Sequence, residues 1–209
     1  MGGVFVMKKL FKALGICFLL AALMWGGTLI ADRQRLSQEL IRLHVVAASD
    51  SDEDQELKLR VRDAVTESLG KALSDVRDVE AAKAYLQDNL PKLQALANQV
   101  LEQAGSAQKA VVKLCREGFP ARDYDTFSLP AGIYESLRIV IGEGEGHNWW
   151  CVVFPGLCTP ETQAEFTDTA AVAGFPRSLT GALSGEEKYE IRFFLLDQLG
   201  KLEKLFAGE

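Results

Sequence analysis

Histidine and cysteine are scarce in this chain, with two histidines and four cysteines among 209 residues. Structural zinc takes four ligands, commonly with close CxxC-like spacing, and His147, Cys151 and Cys158 stand together without an evident fourth. No metal and no cofactor are therefore expected. Basic residues are short as well. Lys8, Lys9 and Lys12 are the only charges in residues 1–31, so residues 32–209 hold 20 of the 23 basic side chains against all 29 acidic ones, a formal charge of −9. Phosphate neutralisation needs clustered Lys and Arg, which excludes nucleic acid as a partner and disfavours anionic lipid. Internal repeats and low-complexity tracts are absent too.

A composition of 48% hydrophobic and 25% charged residues suits one globular domain with a real core. The three lysines precede an uncharged run, 13–31, about as long as a bilayer crossing requires. Residues 1–31 read as a signal peptide or membrane anchor, with residues 32–209 as the exported part. A large Leu29 at the −3 position of the best cleavage candidate favours retention as an anchor. Cys115, Cys151 and Cys158 then lie in a compartment that permits disulfides, where at most one intrachain bridge can form.

Leu40 to Ala48 is rich in branched apolar residues and runs into SDSDED, a strand followed by a helix start near Asp52. Leu57, Val61, Ala64, Val65, Leu69 and Ala72 recur at helical spacing and form one face. Residues 78–104 continue as helix, with a break expected at Pro91. Alternation predicts strands from Lys109, over Tyr134–Gly142 and over Asn148–Phe154, the last two joined by Gly142–Gly146 as a hairpin. Residues 159–185 read as a long connection and 186–206 as an amphipathic C-terminal helix. The expected fold is α+β, a largely antiparallel sheet with helices packed on one face.

The glycines of GEGEG do not suit a phosphate loop, because Glu143 and Glu145 repel anions and the context is strand to strand. A Cys-dependent hydrolase would use Cys151 as nucleophile with His44 or His147 as base. His147 and Cys151 share a strand face about 13 Å apart, beyond hydrogen-bond reach, whereas His44 comes from another strand. Trp149 and Trp150 face opposite sides of their strand. Pro155 and Gly156 form a turn that can bring the sulfurs of Cys151 and Cys158 together as a disulfide.

Two stretches, IRLHVVAASDSDEDQELKLRVRDAV at 41–65 and FSLPAGIYESLRIVIGEGEGHNWWCVVFPGLC at 127–158, closely resemble the stage II sporulation protein R family of endospore-forming bacteria. The resemblance implies a non-enzymatic signal: a protein made in the forespore, exported to the space between the two membranes, that triggers a membrane-embedded aspartic protease of the mother cell to process pro-sigma-E. The chain itself lacks the D-[ST]-G motif such a protease needs. A binding face for that partner is expected where Asp50, Ser51, Asp54, Gln55, Lys58 and Arg62 meet the loop of Glu143, Glu145, His147 and Asn148. A cap and a turn need far less specific chemistry than these segments carry, and exposed polar clusters on a rigid scaffold suit recognition. The plainer alternative makes Asp50 and Asp54 helix caps, with Lys58, Arg62 and Asp63 in internal salt bridges.

Overall fold

A computed structural model describes residues 37–156 except 125, together with Cys158 and isolated positions at 15, 16, 168, 169, 171 and 180. The signal or anchor segment, most of the 159–185 connection and the C-terminal helix lie outside the described residues. No helix among the described residues is long and apolar enough to cross a membrane.

The elements run β1 (Ile41–Val46), α1 (Asp52–Ala72), α2 (Val79–Gln103), β2 (Ala110–Phe119), β3 (Arg122–Asp123), β4 (Ser128–Leu129), β5 (Gly132–Ile141) and β6 (Asn148–Phe154). Four strands form a sheet in the order β2-β5-β1-β6, and β3 and β4 make a separate short ribbon. The class is α+β, but the sheet is mixed. β1 runs parallel to β5 at the centre, while β1–β6 and β2–β5 are antiparallel. Every residue of β1 is buried, as suits a central strand covered on both faces.

The expected hairpin between the last two strands does not form, because β1 lies between β5 and β6. Residues 142–147 instead cross the end of β1, where Glu145 N and Gly146 N donate to the carbonyls of Ala48 and Ala47 at 3.2 and 3.0 Å. Two glycines make the crossing possible. Gly144 has φ +70°, a left-handed conformation, and a Cβ on Gly146 would collide with the Ser49 carbonyl.

Ser51 caps α1, its side chain accepting from Asp54 N at 3.2 Å, with Asp52, Glu53 and Asp54 in the first turn favoured by the helix dipole. Leu57, Val61, Val65 and Leu69 are its buried apolar face. α2 is capped by Asp78 and passes through Pro91 without the expected break. Proline removes one helical hydrogen bond at a cost of about 3 kcal/mol. Ala82, Leu86, Leu93, Ala97 and Leu101 nevertheless form one buried stripe on both sides of it, and burying several such side chains at about 1.5–3 kcal/mol each outweighs that loss.

Both helices cover one sheet face, α1 over β1 and β6 and α2 over β2. Ile41, Leu43, Val45, Leu137, Ile139, Ile141, Cys151 and Val153 supply the strand side of this core. The other face carries Arg42, His44, Ser136, Arg138, Glu117, Phe119 and Trp150, the alternate positions of the same strands.

Candidate functional site

The turn from β1 into α1 and the 142–147 crossing meet at one corner of the molecule. Asp50 accepts the backbone N–H of His147 at 2.6 Å, and its Oδ1 lies 2.5 Å from His147 Nδ1. Lys58, a buried residue one turn into α1, donates from Nζ to the His147 carbonyl at 3.0 Å and to Gln55 Oε1 at 2.5 Å. Gln55 Nε2 donates to the Ser49 carbonyl at 2.9 Å. Asp54 accepts from Ser49 Oγ at 2.5 Å and from Gln108 Nε2 at 2.8 Å, so these hydrogen bonds hold its carboxyl below the usual carboxylate range. Burial, then the neighbouring Arg62 charge, lowers the Lys58 ammonium.

Arg62 lies one turn further along, its guanidinium 4.1 Å from the Trp149 ring centroid and paired with Asp63. Asp50, Ser51, Glu143, Glu145, His147 and Asn148 are exposed, whereas Asp54, Gln55, Lys58 and Arg62 are buried or half-buried beneath them. The ten expected residues thus divide into an outward rim and an inner hydrogen-bonded scaffold. The plainer alternative is also changed. Ser51 is the side-chain cap, Asp50 ties the crossing loop, and Lys58 binds neutral oxygens with no carboxylate among the described residues in ion-pair contact, whereas Arg62 and Asp63 do pair as that alternative expects.

A disulfide joins Cys151 to Cys158 across the Pro155–Gly156 turn, with the Cα atoms 5.2 Å apart. Cys151 pairs in register with Leu43 and faces the helices, whereas His44 pairs with Trp150 and faces the opposite side. The proposed Cys151–His44 dyad is therefore not formed, and His147 is engaged with Asp50 on the surface. Cys115 is free and half-buried, its thiol pushed up by burial and then by Glu117.

The charged layer of the opposite face escaped sequence reasoning. His44 Nδ1 lies 3.1 Å from Glu117 Oε1, and Arg138 Nη1 donates to Glu117 Oε2 at 2.9 Å. Burial pushes the Glu117 carboxyl up, but its bonds to His44 and the Arg138 charge outweigh this and leave it below the usual range. The signal was present in the alternation: Arg42 and His44 in IRLHVV, and Ser136 and Arg138 in YESLRIVI, occupy one strand face.

Residues 37–164 match the family described as stage II sporulation protein R. The chain belongs to this family. The match runs from just before β1 through β6 and both disulfide cysteines, so the corner and the charged face lie within the shared region. Stage II sporulation protein R of Bacillus subtilis (strain 168) is 39% identical over 123 residues, which cover 59% of this chain and 55% of that protein. The alignment thus spans little more than half the length of that relative. No solved structure matches the chain.

Proposed function

We propose that this chain is the exported forespore signal that activates the mother-cell membrane aspartic protease, which then processes pro-sigma-E. Membership of the stage II sporulation protein R family, over residues 37–164, is the observation that carries the reading. The chain acts as a ligand, with the protease as its partner and no cofactor of its own. It works in the space between the forespore and mother-cell membranes, either anchored by residues 13–31 or released by cleavage. The rim of Asp50, Ser51, Glu143, Glu145, His147 and Asn148 is the contact face, held in shape by Asp54, Gln55, Lys58 and Arg62.

The rigid inner network supports this assignment, since a recognition surface works best on residues whose geometry is fixed beforehand. Co-expression of the full chain with the protease and its pro-sigma substrate in a non-sporulating host is the test. Cleavage should rise when the chain is present; an unchanged level of cleavage would contradict the proposal.

A further inference from the structure

Arg42 is 0% exposed on the face of the sheet away from the helices. Its Nη2 donates to Tyr124 Oη at 2.7 Å, and that hydroxyl donates onward to the Trp150 carbonyl at 3.2 Å. Nε and Nη1 have no partner among the described residues. The rings of Phe119 and Tyr134 lie over the guanidinium at 4.1 and 5.2 Å. Glu117, the carboxylate of this layer, is already engaged by His44 and Arg138. Among the described residues no carboxylate pairs with Arg42. Burying a guanidinium without a counter-charge is costly, and burial accordingly lowers its pKa, with Tyr124 acting in the opposite direction.

The pattern of free donors says what is missing. In a guanidinium, Nη2 shares one edge with Nε and another with Nη1, and a bidentate carboxylate takes both donors of one edge. Nη2 carries two N–H groups, one on each edge, and Tyr124 takes one of them, so one fork stays whole. We propose that Arg42 is the centre of a carboxylate-binding site, in which the incoming group takes both donors of the fork that Tyr124 leaves open. Phe119 and Tyr134 stand edge to face at 88° to each other and wall the guanidinium on two sides. His44, two residues along the same strand face, adds a buried Nε2 without a partner among the described residues. The carboxylate is either free or carried on an acidic side chain of a polypeptide. This inference stands on the geometry and does not depend on the proposed signalling role.

Side-chain NMR of the full chain in detergent micelles, following the Arg42 Nε–H resonance, provides the test. The probes are sodium acetate against sodium chloride, and a short end-blocked peptide containing one Glu against its Gln counterpart. Acetate should give a saturable shift that chloride does not. Tyr124→Phe, which removes the one acceptor the guanidinium has among the described residues, should bind acetate roughly fivefold to tenfold more tightly. Arg42→Lys keeps the charge and loses the fork, so the probe-dependent shift of the neighbouring Trp150 resonance should disappear.

Tighter binding of the Glu peptide than of acetate would identify a polypeptide source, and the reverse order a free carboxylate; either supports the site. Absence of a saturable shift in both the natural chain and Tyr124→Phe would overturn it, as would tighter binding of inorganic phosphate than of acetate. An Arg42 resonance that moves on Asp125→Asn and not with acetate would show an internal counter-charge and also contradict the proposal.

Discussion

Lys58 and Glu145 sit at the same corner and should respond to substitution in opposite ways. Lys58→Ala removes the donor to Gln55 Oε1 and to the His147 carbonyl, and stranding such acceptors costs about 1–3 kcal/mol. Its melting temperature should fall, as thermal unfolding followed by circular dichroism will show. Glu145 is exposed, so Glu145→Ala should stay within about 0.5 kcal/mol of the natural chain. The acid response follows from two carboxyls. Asp54 and Glu117 both lie below their ordinary values when folded, so their contribution to stability is present above the unfolded value and is lost as pH falls through the folded one. The melting temperature should drop between about pH 5 and pH 2, and Asp54→Asn should flatten part of that slope. The polar residues of SDSDEDQ were visible in the sequence, but their division into rim and scaffold was not. That division depends on which groups the crossing loop covers, a contact between positions nearly a hundred residues apart.

Strand and helix positions were legible because they follow from local periodicity. Strand neighbours were not. Alternation in YESLRIVIG and NWWCVVF is equally compatible with direct pairing and with a third strand between them, and only the burial of both faces of β1 decides for the latter. Gly142 and Gly144 do take the positive φ of turn residues, and Gly146 is required in addition by close passage over the end of β1. Gly146→Ala should therefore destabilise the domain by more than the roughly 1 kcal/mol typical of a single substitution, with denaturant melts as the measure. Pro91 shows the limit of a local rule. The continuous buried stripe of α2 holds the helix through it, so Pro91→Ala should restore one hydrogen bond and raise stability by roughly 1–2 kcal/mol.

At the scale of the whole molecule, one sheet separates two kinds of interior. The helix-covered side is apolar, while the other side buries Arg42, His44 and Ser136, a distinction that composition conceals because the same strands supply both. The Cys151–Cys158 bridge fastens the end of β6, and a loop of this size contributes about 2 kcal/mol in the chain-entropy account. Mass mapping of alkylated, unreduced protein should find that pair bridged and Cys115 free. The proposed contact face is the corner that includes Asp50, Glu145 and His147. Pro-sigma processing should be measured in the co-expression host for Glu145→Ala beside the natural chain, with the melting temperature of each recorded. Processing reduced severalfold at an unchanged melting temperature is the predicted result, and processing that falls only in proportion to lost stability would contradict this corner as the contact face through which the chain signals.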